Sequence, residues 1–409
     1  MTADIPRTVD AVWRIESARI VATLAKMTGD VGLAEDLAQE ALVEALEQWP
    51  RAGVPRNPGA WLTVVAKRRA VDLWRRRSAL DARYRAMAHD LDETTDEEWE
   101  PIDDDVLRLV FTACHPVLSR EAQIALTLRV VSGLSTPEIA RMLLVPVPTV
   151  QARITRAKKT LGAARVPFEA PDPAEWSARL AAVLGVVYLM FTEGYAATSG
   201  ERWLRVDLAH EALRLGRVLA SLVPREPEAI ALVALMEFQS SRFAARVAPD
   251  GSSVLLADQD RTRWDRGQIM RGSEALRRAD AVGRGRGSYA LQAAIAECHA
   301  VAPSVEDTAW ERIVILYEAL GRIAPSPVVE INRAVAVSMA TGPATALRIV
   351  DGLAGDPALR GSHLLPSVRG ELLSRLGRVE EARAALLAAA QLTANERQAA
   401  VLRAKAAAL

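Results

Sequence analysis

The stretch STPEIARMLLVPVPTVQARITRAKKTL, residues 135–161, decides how this part of the chain folds. Ser135 with Glu138 three residues later forms a capping box, and Pro137 sits in the same first turn. Ile139, Ala140 and Leu143 then share one face of a short helix, and Leu144-Val145-Pro146 makes a turn. A second helix is predicted from Thr149 to Leu161, with Val150, Ile154, Ala157 and Leu161 as its apolar stripe. That stripe leaves Gln151, Arg153, Arg156, Lys158 and Lys159 outside, and the helix holds no acid. A helix-turn-helix of this kind offers the first residues of its second helix to base edges in the major groove. Thr149, Gln151 and Ala152 are placed for that role, and the basic residues for phosphates. The bland alternative is an ordinary helical hairpin.

The same periodicity extends in both directions. Apolar residues recur at three- and four-residue spacing in a background of Ala, Leu, Arg and Glu, and alternating β-branched runs are absent. Asn57 followed by Pro58 marks another helix start. The reading is all-α throughout. With 50% apolar and 25% charged residues, the composition is that of an ordinary soluble globular protein. Lys+Arg and Asp+Glu both total 51, which hides strong segregation of charge. Between Asp90 and Asp105 stand ten acids and no base. Such a block repels itself and reads as a linker. The expected domains are therefore 1–88, an acidic linker 89–105, a helix-turn-helix unit 106–165 and, after a proline-bearing break, a long helical half 174–409.

Two helices in the first unit carry opposite charge. One starts at Asp30 and runs to Trp49, where Pro50 is expected to end it. It sets Leu33, Leu37, Ala41 and Ala45 on one face and Asp36, Glu40 and Glu44 on another, with Gln39 beside them. Like charges four residues apart destabilise a helix by about 0.2–0.5 kcal/mol per pair. A solvated face is the bland reading, and a docking face for a basic partner the sharper one. The next helix, Pro58 to Arg77, begins with Trp61 and Leu62 and carries Lys67, Arg68, Arg69, Arg75, Arg76 and Arg77 against the single acid Asp72. Basic residues beside an aromatic suit a nucleic-acid backbone, where each neutralised phosphate releases counterion.

This order resembles an extracytoplasmic-function (ECF) sigma factor, the promoter-recognition subunit of bacterial RNA polymerase. The motifs are Asp36-Leu-Ala-Gln39-Glu40-Ala-Leu, then Trp61-Leu62 on a basic helix, an acidic linker, and Glu138-Ile-Ala with Thr149-Val-Gln-Ala-Arg153. The match covers about residues 8–165. It implies that Asp36, Gln39, Glu40 and Glu44 dock on the β′ subunit of the core enzyme, whose β and β′ subunits are the expected partners. It also implies that Trp61, Lys67, Arg68, Arg69, Arg75 and Arg76 lie at the minus-ten element of promoter DNA. Thr149, Gln151, Arg153, Arg156, Lys158 and Lys159 then lie at the minus-thirty-five element. Three positions depart from the family pattern. Arg68 stands where a typical member has asparagine, the loop Arg51 to Arg56 has no aromatic, and Leu144 occupies the usual glycine position of the turn.

More narrowly, Phe111-Thr-Ala-Cys-His-Pro116, Tyr188-Leu-Met-Phe-Thr-Glu-Gly-Tyr195 and Asp258-Gln-Asp-Arg-Thr-Arg-Trp-Asp265 resemble the sigma-factor group with a C-terminal TPR-like extension. Gly342, Ala346 and Val350 are echoed by Gly377, Ala382 and Leu386 about 35 residues on, near the TPR period. A TPR-like α-solenoid that regulates the sigma half, and through it a contact with a protein regulator, is therefore expected. The segment around Asp258, Asp260, Arg261, Arg263, Trp264 and Asp265 reads either as a salt-bridged loop fixing one helix pair against another or as a regulatory contact site.

Other chemistry lacks its residues. There is no P-loop, no dinucleotide fingerprint and no zincin pair. Cys114-His115 and Cys298-His299 would need to converge to hold zinc, and both cysteines read as buried small apolar residues. No enzyme activity, cofactor or metal is expected. Two cysteines, no secretory signal and no apolar run long enough to span a bilayer point to a reduced, cytoplasmic setting away from membranes. The competing reading is a helix-turn-helix regulator with a TPR-like sensor half. Such a regulator has no need of the acidic and basic helices that precede the linker.

Overall fold

The computed structural model describes residues 5–77, 103–143, 145–195, 206–246, 254, 256–393 and 396–409. These residues form eighteen α-helices and four short 3-10 turns, with no strand among them. The chain divides into two compact units, Met1–Met190 and Phe191–Leu409.

The first unit opens with α1 (Ile5–Thr28), α2 (Val31–Ala52) and α3 (Pro58–Arg77). Asp30 caps α2, its carboxylate accepting from the Gly32 and Leu33 amides at 2.7 and 3.0 Å. Such a cap stabilises a helix by about 1 kcal/mol. Asn57 caps α3 through the Ala60 amide at 3.1 Å, as the Asn-Pro pair predicts. Pro50 does not end α2. The helix continues to Ala52 and stops at Gly53, which has a φ of 84° and whose amide donates a hydrogen bond to the Trp49 carbonyl. Within the last turn a proline forfeits one hydrogen bond, and the left-handed glycine cap is the stronger stop. Ile20, Leu24, Leu37, Trp49 and Leu62 are fully buried between the three helices. Trp61 meets Trp49 edge-on at 5.5 Å, a geometry that adds about 0.5–1.5 kcal/mol to burial.

Four helices follow: α4 (Asp103–Ala113), α5 (Arg120–Val130), α6 (Thr136–Leu143) and α7 (Val147–Ala163). The acidic linker expected over 89–105 lies outside the described residues except for its last three, which open α4. The capping box at α6 is closed: the Ser135 amide and hydroxyl donate to Glu138 at 2.8 and 2.7 Å. In the turn, Leu144 lies outside the described residues. The second helix starts two residues before Thr149, with Pro148 in its first turn, where a missing amide costs nothing. Val150, Ile154, Ala157 and Leu161 are buried as the stripe predicts, and so are Ile139 and Ala140, while Leu143 is half-buried.

The next helix in the chain is α8 (Trp176–Tyr195). The division falls inside α8, later than the expected boundary at 174. Trp176 packs on Phe111 at 5.2 Å and Arg179 donates to the Phe111 carbonyl at 3.1 Å, which ties the start of α8 to the first unit.

The second unit is helix upon helix: α9 (Val206–Leu222), α10 (Pro227–Ser240), α11 (Arg266–Ala281), α12 (Ser288–Val301), α13 (Trp310–Ile323), α14 (Pro327–Thr341), α15 (Pro343–Gly352), α16 (Leu364–Arg375), α17 (Val379–Leu392) and α18 (Glu396–Ala407). Nearly every residue of α10 is buried, so it is the central helix against which α9, α11 and α12 pack. Gly342 (φ 101°) separates α14 from α15, and Gly377 (φ 75°) separates α16 from α17. Ala346, Val350 and Ala382 are fully buried in one cluster with Leu372 and Leu373. Gly370 lets α16 approach α17: a Cβ there would stand 2.8 Å from Leu386 Cγ.

Candidate nucleic-acid interface

Helical spacing puts Asp36, Glu40 and Glu44 in one stripe on α2, and a base from α3 relieves their repulsion. Arg69 reaches Glu40 at 2.8 Å and Glu44 at 2.6 Å, the second through both Nη2 and Nε. The Glu44 hydrogen bond, opposed by partial burial and joined by Glu40, holds the Arg69 guanidinium above its ordinary pKa. Gln39 is half-buried, while Asp36 and Glu40 remain exposed.

The basic residues of α3 thus divide. Arg68 is exposed, and Arg69 is tied to the acidic stripe. Lys67 is half-buried, and burial lowers its pKa. Trp61 is half-buried against Trp49. The side chains of Arg75 and Arg76 lie outside the described residues. A groove of about 440 Å³ runs between the two helices, lined by Leu37, Glu40, Glu44, Arg68, Arg69 and Asp72.

On α7, Gln151, Ala152, Arg156 and Lys159 are exposed, and Thr149 and Arg153 are half-buried. Arg153, Arg156 and Thr160 face Ser119 and Glu121 of the α5 start across a groove of about 420 Å³. Two guanidinium groups beside a helix N-terminus are suited to a phosphate oxygen.

Lys158 is placed otherwise. Its ammonium reaches Glu35, and Asp36 at 2.8 Å, so it is turned onto α2. Burial opposes the charge on Lys158, but Glu35 and Asp36 outweigh it and raise its pKa. Glu35 also receives Arg129 Nε at 2.6 Å, and its side chain is only 5% exposed. The sequence reading did not single out Glu35 or Arg129. The pairs span 94 and 123 residues, so no local pattern announces them.

In the second unit, the segment from Asp258 to Asp265 is a fastening built on hydrogen bonds to carbonyls rather than on salt bridges. Arg261 is buried and donates to the His299 and Ala302 carbonyls at 2.8 and 2.7 Å, with Trp264 stacked on it at 4.8 Å. Asp260 caps the 3-10 turn at Arg261–Arg263, and Asp265 caps α11 through the Gln268 amide at 3.0 Å. Asp258 and Arg263 are exposed.

Both cysteines are buried. Burial pushes the Cys114 thiol up to about 11, which leaves it protonated and unreactive near neutrality. Among the described residues, no cluster of three His, Cys, Asp or Glu could hold a metal ion, and no helix is long and apolar enough to cross a membrane.

Comparison with known proteins gives three family matches. Sigma-70 region 2 matches residues 14–80, Sigma-70 region 4 matches 108–161, and a family of unknown function (DUF6596) matches 179–280. The first contains α2 and α3, the second the helix-turn-helix. The "Probable ECF RNA polymerase sigma factor SigI" of Mycobacterium tuberculosis is 29% identical over 164 residues, covering 39% of this chain and 56% of that protein, in both strains CDC 1551 and H37Rv. The uncharacterized protein R00370 of Rhizobium meliloti is 46% identical over 382 residues, 91% of this chain and 89% of its own. No solved structure gives a significant match. With 46% identity over nearly the full length of both, the chain belongs to the same family as R00370, and in this chain sigma-70 regions 2 and 4 precede a match to DUF6596.

Proposed function

We propose that the protein is an ECF-type sigma factor. It binds core RNA polymerase, recognises and opens promoter DNA, starts transcription, and is regulated by its C-terminal helical domain. The observation that carries this reading is the pairing of two charge-segregated modules, each under its own sigma-region match. One bears an acidic stripe on α2 beside a basic α3. The other bears a helix-turn-helix whose second helix has no acid. Polymerase docking is assigned to Asp36, Gln39, Glu40 and Glu44. Minus-ten contacts are assigned to Trp61, Lys67, Arg68, Arg69, Arg75 and Arg76. At the minus-thirty-five element, Thr149 and Gln151 meet bases, while Arg153, Arg156, Lys158 and Lys159 meet phosphates. The chain itself catalyses nothing on this reading; the polymerase supplies the chemistry.

The second unit is assigned a TPR-like regulatory role, supported by the repeated Gly342/Ala346/Val350 and Gly377/Ala382/Leu386 pattern. Stacked helix pairs offer an extended surface for a protein partner. A truncation that tests this role keeps α8 whole and ends at Tyr195, because Trp176 and Arg179 are tied to Phe111. A changed promoter-dependent output at equal protein level supports regulation; an unchanged output refutes it.

Docking is tested by binding of core polymerase to Glu40→Lys, a change at an exposed position. The expected result is at least a tenfold loss of affinity with the helical content retained, the scale of reversing a charge in an electrostatically matched interface. Affinity equal to wild type removes the docking assignment.

A further inference from the structure

Region 2 and region 4 are fastened to each other in this structure, and the contact joins Asp36 to Lys158, which the sigma-factor reading sends to different partners. Glu35, at the head of the acidic α2 face, is held by Arg129 and Lys158. Lys158 also holds the docking residue Asp36 at 2.8 Å. Flanking pairs reinforce the contact: Arg14 meets Glu138 of the capping box at 2.5 Å, and Lys26 meets Asp105 at 3.1 Å. Packing is equally close. A Cβ at Gly32 would stand 3.3 Å from Lys158 Cβ, so only a glycine lets the stem of Lys158 lie on the first turn of α2 without displacement.

We propose that this contact is an autoinhibitory clasp, in which α7 buries Glu35 beside the polymerase-docking face, engages Asp36 by an ion pair while leaving it exposed, and in return has a phosphate-binding lysine neutralised. The inference rests on the sigma-factor reading of both faces. Promoter elements named minus-ten and minus-thirty-five lie about 25 base pairs apart, roughly 85 Å along B-form DNA at 3.4 Å per pair. Two modules whose side chains touch cannot occupy both elements together. The contact therefore has to open before the chain can act, and any molecule that binds the open form shifts the balance toward it.

Charge and burial make the clasp a discrete state. Glu35 is shut away with two cations, so separation of the modules exposes three charges to water at once. Removing Glu35 leaves Lys158 on Asp36 and Arg129 on the Leu134 carbonyl, without the buried carboxylate that both cations share, which weakens the closed form. Apparent affinity for polymerase is reduced by the fraction of chain that is closed.

The test introduces Gly32→Cys and Lys158→Cys together in the full chain. A 3.3 Å separation of the Cβ positions is close to the roughly 3.5–4.5 Å span of a disulfide. Mild oxidation is expected to form the crosslink, to abolish binding to core polymerase, and to do so reversibly on adding a thiol reductant. Wild type treated alike controls for Cys114 and Cys298. Failure to crosslink, or an oxidised variant that binds core as well as the reduced one, overturns the inference. A second variant, Glu35→Gln, alters a residue outside the docking assignment and is expected to raise apparent core affinity about tenfold, as the open fraction rises. Unchanged affinity in Glu35→Gln also overturns it. A wild-type chain that binds no core polymerase at all refutes the sigma-factor reading itself, which distinguishes that failure from failure of the clasp.

Discussion

Replacing Arg261 by alanine is predicted to loosen the second unit at the junction of α12 and α13. The guanidinium is buried and donates to the His299 carbonyl at 2.8 Å and the Ala302 carbonyl at 2.7 Å. Both carbonyls belong to the end of α12, where the helix has no amide of its own to offer. A cation at a helix C-terminus is favoured by the macrodipole as well. Hydrogen bonds to a charged group contribute about 1.5–3 kcal/mol each, and a desolvated stack on Trp264 adds up to about 2 kcal/mol. Because these terms share one side chain and partial relaxation is expected, the net loss is placed at about 3–5 kcal/mol. For a unit of this size each kcal/mol lowers the midpoint by about 2–4 °C, so a fall of roughly 6–20 °C is predicted. Calorimetry on the full chain measures it, and hydrogen exchange should show faster exchange at the end of α12. Arg261→Lys, which keeps the charge but not the fork, should fall between the two. A midpoint within about 2 °C of wild type for Arg261→Ala would refute this account of the segment and favour an exposed contact role.

Three further outcomes follow from single sites. Burial lowers the His299 pKa to about 4, with Arg242 and Arg261 adding to the shift, while the unfolded value is 6.5. The unfolded chain therefore takes up its proton first. Stability is full above pH 6.5 and falls by about 3 kcal/mol as pH drops to 4; urea midpoints of His299→Phe should lack that part of the acid loss, and identical pH profiles would contradict it. Gly370→Ala places a methyl 2.8 Å from Leu386 Cγ and 3.2 Å from its backbone nitrogen, and should cost about 1–3 kcal/mol in unfolding; an unchanged midpoint would show that α16 and α17 can separate freely. Arg156→Ala should lower the salt slope of promoter binding by about one without altering sequence preference, and an unaltered slope would remove its phosphate role.

What the sequence makes legible is local. The capping box at Ser135 and Glu138, the Asn57 cap and the stripe Val150, Ile154, Ala157 and Leu161 each depend on residues within one or two turns, and each is found as read. Pro50 does not stop its helix, because the stop lies three residues on, in a glycine whose φ of 84° is a property of the folded turn. The acidic stripe was recognised as a stripe, but the reason it is tolerated, Arg69 between Glu40 and Glu44, comes from the next helix. Glu35 was hidden more deeply. It looks like one more acid beside Asp36, and only the fold brings Arg129 and Lys158 onto it. The segment Asp258 to Asp265 is dense in charge and reads from sequence as a salt-bridged loop or a contact site, yet Asp260 and Asp265 cap helical turns and Arg261 donates to carbonyls.

A sigma-factor role requires that this chain convert core RNA polymerase into a promoter-specific enzyme. The direct measurement is run-off transcription with purified core polymerase, the full-length chain as the sole sigma factor, and a library of upstream DNA fragments from a genome encoding it. The account predicts discrete transcripts that require the chain, share elements at about minus ten and minus thirty-five, and disappear with Glu40→Lys. DNA binding without any such transcript, or transcripts indifferent to the chain, would contradict it.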